Sequence, residues 1–335
     1  MSVQLRILAA GPGVTLQDAG RRGYLRYGVT PAGPMDAEAF ALATKAAQAP
    51  AAIEVSLGGL ELSVEGDALG LAVAGGQFEM SLNGRPLPPA CALTLQPGEA
   101  LRVRAGASGA FVYVAPYGLF DLPLALGALA THTRSGLGGF RGRGLQAGDL
   151  LPIGEARPGP VEPMRLVASQ LARGAARLRV LLGPQQDHFP PKAIDAFFTA
   201  RWRLSAKSDR MAYRLEGPAI RARRGHDIVS DGLAFGAIQI PGDGAPLVLM
   251  ADRQPTGGYP KIAHVIGADL PALAQMRPGT ELGFETVSWE EAVAARAAQA
   301  RALAQEPLLE PLAPALTSEY LLGRNLVSGV SDGGE

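Results

Sequence analysis

The sequence predicts a mainly β protein built from two similar halves, with few helices. Three observations predict this class. Short apolar runs dominate the chain of 335 residues, and 43 Gly and 27 Pro are spread between them rather than collected in one tract. Such spacing is typical of many short strands joined by turns. A turn-then-strand phrase also recurs about half a chain apart.

The first half contains short apolar runs bounded by turn dipeptides. The predicted strands cover residues 5–8, 60–64, 70–74, 100–103 and 110–115. Asn83-Gly84 suits a tight hairpin. Pro97-Gly98 suits a type II turn, because Pro fixes φ at the second position and Gly accepts a positive φ at the third. This half therefore predicts a sheet with local connections.

The second half repeats this style. The predicted strands cover residues 178–182, 234–240, 247–251 and 281–287, and 241–244 join the middle two. Four segments have helical spacing: residues 34–48, 191–199, 270–276 and 288–305. Ser288 and Glu291 form a capping box for the last one, whose Ala-rich interior predicts shallow packing.

A repeated sequence segment indicates how the chain is divided into domains. Residues 95–101 resemble residues 276–282, with a looser copy at 145–151, and we interpret the first two as a duplicated β domain rather than a common local phrase. A Pro- and Gly-rich segment near residue 155 suits a linker. The predicted division is an N-terminal domain over 1–154, a linker over 155–163, a C-terminal domain over 164–287, and a helix and tail over 288–335. The tail carries an apolar cluster at 320–322, which either docks on another surface or lies in a partly disordered segment.

Composition excludes several classes of function. Lys and Arg together number 31, as do Asp and Glu, so nothing in the balance attracts nucleic acid or an anionic membrane. Cys91 is the only cysteine, so no internal disulfide can form. The first ten residues lack the pattern of a signal peptide, and no apolar run approaches the ~20 residues that span a bilayer. We expect a cytoplasmic protein.

The most informative segment covers residues 251–261, directly after a predicted strand. Its polar groups should emerge at one end of a sheet or barrel. Arg253 can grip a planar carboxylate or phosphate, Lys261 supplies a point charge, and Asp252 can orient Arg253 or activate a water. We predict that these three are catalytic, and that the segment's remaining polar and glycine positions bind substrate: Gln254, Thr256, Gly257, Gly258 and Tyr259. The alternative is a structural loop with an internal ion pair.

Further candidate substrate-binding residues lie elsewhere. Asp209 and Arg210 either face a cleft or pair with each other at the start of a strand. Asp18 and Arg21 lie in a glycine-punctuated polar loop. Asp36 opens the first helix, where it either contacts a ligand or caps the helix.

Several catalytic classes lack their motifs. The four histidines show no metal-ligand spacing, so we predict no metal. The sequence contains neither a Walker A loop nor a Gly-x-Ser-x-Gly elbow. A hydrolase that works alone is disfavoured.

Taken as a set, the motifs resemble one family. The chain is similar to the family of allophanate hydrolase subunit 2, biotin-dependent carboxyltransferases and the C-type subunit of 5-oxoprolinase. The matching phrases lie in order over residues 15–21, 33–36, 53–55, 136–140, 208–211, 238–244 and 251–261. Pro255, Ala212 and Asp231 depart from the residues usual in the family, which leaves the substrate open.

The resemblance implies tandem cyclophilin-like β-barrel domains and partnership with a B-type subunit, which is like allophanate hydrolase subunit 1. In 5-oxoprolinase, an A-type homologue joins these two. There ATP drives the opening of 5-oxoproline to glutamate, so the expected activity is that of an amide hydrolase inactive without its partners. One alternative is the carboxyltransferase part of a biotin-dependent urea or allophanate system, with biotin carried by a partner. The other alternative is a non-catalytic regulatory binder.

Overall fold

The computed structural model describes residues 3–168, 177–223, 225–305 and 307–312. Two bodies of β structure hold most of these residues. One is a large sheet and the other a closed barrel. The twelve strands of the sheet are β1 Val3–Ala10, β2 Thr15–Gln17, β3 Ala52–Val55, β4 Leu60–Glu65, β5 Leu69–Leu82, β6 Arg85–Leu87, β7 Cys91–Leu95, β8 Ala100–Pro116, β9 Leu119–Phe120, β10 Leu150–Gly154, β11 Met164–Val167 and β21 Leu308–Pro311.

The barrel lies in the second half of the chain. Its seven strands are β12 Arg177–Leu182, β13 Trp202–Leu204, β14 Ala212–Glu216, β16 Ala237–Gln239, β17 Leu247–Leu249, β19 Lys261–Val265 and β20 Glu281–Thr286. A separate two-stranded ribbon joins β15 Asp231–Gly232 to β18 Thr256–Gly257. The mainly β class is confirmed.

Four α-helices occur in the described part of the chain: α1 Ala37–Ala47, α2 Pro191–Thr199, α3 Leu270–Ala274 and α4 Trp289–Gln305. All four were predicted from the sequence. The backbone N–H of Glu291 donates to Ser288 Oγ and that of Ser288 to the Glu291 carboxylate, which completes the predicted capping box. Ala292 is the buried residue of α4, so the shallow packing is confirmed as well. None of the described helices is long and apolar enough to cross a membrane.

Strand β5 of the sheet lies between two apolar cores. In β5, Leu71 and Val73 face a core enclosed by the sheet, whereas Ala72 and Ala74 face a second core. Alternate residues of a strand point to opposite faces, so one strand can serve both cores. The second core also contains barrel residues such as Trp202 and Phe284. The two halves therefore share buried apolar surface.

The predicted division of 100–103 and 110–115 into two strands is wrong, because one strand, β8, runs through both. Gly106 and Gly109 lie between the two runs and look like a break in sequence. The backbone instead continues, with shifts of register against β5. At Gly109 a Cβ atom would lie 2.8 Å from Gln275 Oε1, so the glycine gives the residue after α3 room to contact the sheet.

The repeated phrases adopt the same local structure. Gly98, Gly148 and Gly279 have φ near +90°, at 88°, 91° and 89°, and each turn leads into a strand. Duplication of a whole domain stays a prediction, as does the division at residues 155–163. The strand after that predicted linker, β11, pairs with β7 and β21 and so lies with the first sheet. The cluster predicted at 320–322 lies outside the described residues.

Candidate functional site

The segment 251–261 connects two polar clusters. It leaves the barrel after β17, pairs with β15 through β18, and re-enters the barrel at β19. Its first residues contact a buried ionic cluster between sheet and barrel. Its last residue contacts a second cluster at the rim of the barrel. Polar groups do emerge at a strand end, as the sequence predicted.

The first cluster, the central network, consists of Glu54, Tyr113, Arg210 and Asp252. Arg210 precedes β14 and donates to both oxygens of Asp252, over 2.9 Å from Nε and 2.8 Å from Nη2. Its Nη1 donates to Glu54 Oε1. Asp252 and Glu54 come from the two halves of the chain, so Arg210 links the barrel to the sheet through charge-assisted hydrogen bonds.

Glu54 is fully buried in β3. Its Oε2 accepts from the Tyr113 hydroxyl over 2.7 Å and from the Met35 backbone N–H over 2.8 Å. Burial raises the pKa of Glu54, while Arg210 and the two hydrogen bonds oppose that effect. Burial also raises the pKa of Tyr113 well above its usual value, so Tyr113 remains a neutral donor.

Arg210 is the single cation in contact with both carboxylates among the described residues. Burial by itself lowers the pKa of Arg210, but Glu54 and Asp252 raise it above its usual value overall. The guanidinium therefore stays charged. Both Asp252 oxygens accept from Arg210, so this carboxylate ties the start of the segment 251–261 to the central network.

The second cluster, the rim site, consists of Gln185, Asp231, Gln239 and Lys261. Lys261 Nζ donates to Asp231 Oδ2 over 2.7 Å. The lysine side chain is 6% exposed, whereas that of Asp231 is 51% exposed. The hydrogen bond from Lys261 lowers the pKa of Asp231, so this carboxylate is ionised near neutral pH.

Two glutamines frame this ion pair. Gln185 accepts from the Lys261 backbone N–H over 3.1 Å, and its Nε2 lies 3.3 Å from Asp231 Oδ2. Gln239 of β16 lies opposite Lys261 of the neighbouring strand β19. Its side-chain amide donates to the Tyr259 carbonyl over 3.2 Å. A Cβ atom at Gly257 would lie 2.9 Å from Gln239 Nε2, so glycine allows the ribbon to approach that amide.

Arg253 contacts the backbone. It is 8% exposed, and its Nε donates to the Leu233 carbonyl over 3.0 Å. Nη1 lies 3.4 Å from the Met250 carbonyl, and the guanidinium lies 5.8 Å from the ring centroid of Phe235. Burial lowers the pKa of Arg253. These contacts hold the loop in shape. They also occupy part of the guanidinium group, so fewer of its N–H groups are left for a ligand than the sequence suggested.

The other predicted residues of this segment lie nearer solvent. Gln254, Thr256 and Tyr259 are exposed, with Tyr259 at 39%. The Gly258 carbonyl accepts from the Ile228 N–H over 2.8 Å. These positions stay candidates for contact with a substrate.

The N-terminal candidates have structural contacts. Asp36 Oδ1 accepts from the N–H groups of Glu38 and Ala39, both over 3.0 Å, so it caps α1, the alternative weighed from sequence. Asp18 accepts from backbone N–H groups at Gly20, Leu129 and Ala130.

Arg21 is 1% exposed and donates to the carbonyls of Ala125 and Ala130, each over 2.9 Å. A Cβ atom at Gly138 would lie 2.8 Å from Arg21 Nη2, so the glycine-rich segment makes room for this side chain. The contacts of Arg21 and Asp18 fasten loops together.

Asp209 lies on a cavity of about 510 Å³ that is also lined by Arg134, Lys207 and Arg214. Its Oδ2 lies 3.3 Å from Arg134 Nη2, and its Oδ1 accepts from the Met211 N–H over 2.8 Å.

A larger, mostly apolar cavity of about 590 Å³ lies between the halves, with Arg210 and Phe111 in its lining. Asp209 and Arg210 thus do border clefts.

Five residues of the two clusters were not selected as site residues from the sequence: Glu54, Tyr113, Gln185, Asp231 and Gln239. A signal for Glu54 existed, since a carboxylate inside the apolar run Ala52–Val55 must be paired when it is buried. Asp231 and Gln185 lie 30 and 76 positions from Lys261, and no local pattern connects them.

Comparison with known proteins identifies the class. The family model described as carboxyltransferase domain, subdomain A and B, matches residues 27–286. The chain therefore belongs to the carboxyltransferase domain family, which confirms the resemblance drawn from its motifs.

Individual relatives show which members of this family the chain is similar to. The chain is 37% identical to the C-type subunit of 5-oxoprolinase from Escherichia coli K12 over 89% of its own length and 96% of the relative's. It is 30% identical to urea amidolyase of Lachancea kluyveri over 94% of its length, but spans only 18% of that protein. A crystal structure of urea amidolyase from K. lactis superposes with a TM-score of 0.82 at 27% identity, covering 94% of this chain and 21% of that one.

Proposed function

We propose that this chain is one component of an ATP-dependent 5-oxoprolinase complex that opens 5-oxoproline to glutamate. One observation carries the proposal: the 37% identity to the C-type subunit of 5-oxoprolinase extends over 96% of that relative's length. The match thus covers a whole polypeptide of that complex, whereas the urea amidolyase match covers 18% of a much larger protein.

The proposal assigns the chain two partners, homologues of the B-type and A-type subunits of 5-oxoprolinase. The name of the relative supports further subunits in the assembly. The sequence contains no Walker A loop, so the proposal assigns ATP binding to a partner. ATP would transfer a phosphoryl group to the amide oxygen and leave as ADP, which makes the ring carbon easier for water to attack. The ring C–N bond would then break, and a second water would release the phosphate to leave glutamate.

Lys261 is the residue of this chain best suited to the reaction. Its ammonium carries three donors, one of which contacts Asp231. The others can stabilise negative charge that develops on a substrate oxygen, and little reorganisation is needed because the side chain is buried. Asp252 and Arg253 act in this proposal by shaping the loop, and the exposed positions Gln254, Thr256 and Tyr259 border the substrate.

The experiment reconstitutes the complex with both partner homologues from the same genome and measures release of glutamate from 5-oxoproline with and without ATP. Lys261→Met should lower kcat by about 100-fold or more, the usual effect of losing one preorganised donor. Lys192→Met, at an exposed lysine of α2, is the matched control and should retain activity. An assembled complex that releases no glutamate would refute the proposal.

A second candidate rests on a separate observation. The superposition with a TM-score of 0.82 relates the chain to urea amidolyase, and the matching family model is named for carboxyltransferase activity. In this alternative the chain transfers a carboxyl group from biotin, held by a partner, to urea. Carboxylation of urea that depends on carboxybiotin, by a complex inactive on 5-oxoproline, would establish it. A complex inactive in both assays would instead favour a non-catalytic binding role.

A further inference from the structure

Lys261 occupies an unusual environment for an ammonium group. Its side chain is 6% exposed, and among the described residues Asp231 is the one carboxylate within ion-pair distance. A buried ammonium is costly unless it is paired. The Asp231 carboxylate is therefore the group that allows a charged lysine at this place.

Asp231 is itself held in place. Its Oδ1 accepts from the Gly232 N–H over 2.8 Å, and its backbone pairs with Gly257 across the ribbon. Gln185 contacts both partners of the ion pair, through Oε1 to the Lys261 N–H and through Nε2 to Asp231 Oδ2. Three separate segments of chain thus fix one carboxylate oxygen beside one ammonium.

The geometry leaves one side of the pair open. Asp231 is 51% exposed, against 6% for Lys261, so the pair meets solvent at its carboxylate. An ammonium donates three hydrogen bonds, and Asp231 accepts one. The direction of the remaining donors is set by the contact with Asp231.

We propose that Asp231, supported by Gln185, is the positioning residue of Lys261, and that the pair presents the ammonium to an anionic oxygen, a carboxylate or phosphorylated oxygen of the substrate. The role in turnover rests on the proposed function. The contact itself does not, and can be tested without any activity.

The first test measures how fast Lys261 reacts with acetic anhydride, by peptide mass spectrometry against a free-amine standard. Asp231→Asn removes the charge and keeps the shape. We expect labelling of Lys261 to rise by about tenfold or more, because a hydrogen bond to a charged group is typically worth at least that factor. Asp231→Glu should restore slow labelling.

The matched control is Asp243→Asn. Asp243 is a carboxylate of similar exposure, 49%, that pairs with Arg214 beside the same barrel. Its loss should leave the labelling of Lys261 unchanged. Equal rates in the wild type and Asp231→Asn, with circular dichroism showing both folded, would overturn the proposal.

The second test uses the reconstituted complex. Asp231→Asn should lower kcat by about tenfold or more with little change in KM, since positioning acts on the transition state, and Asp231→Glu should recover most of it. Unchanged kcat despite faster labelling would overturn the role in turnover. A wild-type complex inactive on 5-oxoproline would refute the proposed function, while the labelling result would still decide whether Asp231 positions Lys261.

Discussion

Arg210 shows how much of this molecule depends on single side chains. Its side chain is 15% exposed and contacts a carboxylate from each half, together with the Gly33 carbonyl at 2.8 Å. A buried ion pair adds little net stability, but removal of one partner leaves an uncompensated buried charge. Removal of the Arg210 side chain would leave two buried carboxylates, Glu54 and Asp252, without their cation.

We expect Arg210→Met to lower the free energy of unfolding by about 3–5 kcal/mol, measured by urea denaturation. The control is Arg203→Met, whose ion pair with Glu216 is exposed, at 62% and 44%. Its loss should cost no more than about 1 kcal/mol. Similar losses in the two variants would show that the central network does not behave as a buried charge pair.

Asp149 supplies a test that depends on pH. Hydrogen bonds from Arg143, over 2.8 and 2.7 Å, lower the pKa of Asp149. A carboxyl with a lowered folded-state pKa stabilises the protein above its unfolded-state value of about 3.9, and that contribution is lost as pH falls through the folded-state pKa. Asp149→Asn should therefore be less stable than wild type at pH 7, and the difference should shrink towards pH 3. A difference in unfolding free energy that stays constant over this range would contradict the assignment.

At the scale of elements, local interactions and tertiary contacts contribute unequally to the stability of the helices α2 and α4. The helix α2 begins at Pro191, as predicted, and buries Phe197 against Phe284 with ring centroids 4.7 Å apart. The helix α4 buries only Ala292 among its described residues, so local contacts such as its capping box matter more for its order than they do for α2. The two helices should respond differently to loss of local interactions.

Ser288→Ala should destabilise α4 by about 1 kcal/mol, the usual cost of losing a helix cap. Because α4 packs shallowly, we expect fraying of this helix rather than a lower stability of the whole protein. Hydrogen exchange in residues 289–305 should accelerate several-fold, with little change in exchange in β5 and β8. A matching acceleration in those strands would mean that α4 is part of the cooperative core.

At the scale of the whole molecule, a shared apolar core and the central network join the two halves. Trp202 and Phe284 of the barrel belong to the same core as Ala72 and Tyr113 of the sheet. Glu54 and Arg210 join the halves through charge. Separation of the halves would expose both, so we expect a single cooperative unfolding transition.

Two natural probes can test this. Trp289→Phe leaves Trp202, fully buried in the barrel, as the only tryptophan. Cys91 lies fully buried in the sheet, where burial raises the pKa of its thiol to about 12. In urea, the fluorescence of Trp202 and the labelling of Cys91 by a thiol reagent should change at the same denaturant concentration. Two separate midpoints would show that the halves unfold independently.

The sequence by itself determined those features that depend on neighbouring residues. Asn83-Gly84 places both residues at positive φ, 49° and 82°, between paired strands, and Asp36 and Ser288 begin helices. These outcomes follow from φ preferences and side-chain caps that act within a few positions. The same locality made 251–261 visible as a polar segment after a strand.

Only the tertiary structure decided which charges meet. Glu54 and Arg210 are 156 positions apart, and Lys261 and Asp231 are 30 apart on different strands. The path of β8 through its glycines and the return of β21 to the first sheet likewise depend on partners distant in the chain. Long-range pairings are set by the packing of whole elements, which local propensity does not encode. Asp252, Arg253 and Lys261 lie close together in sequence, but their side chains contact Arg210, the Leu233 carbonyl and Asp231 respectively.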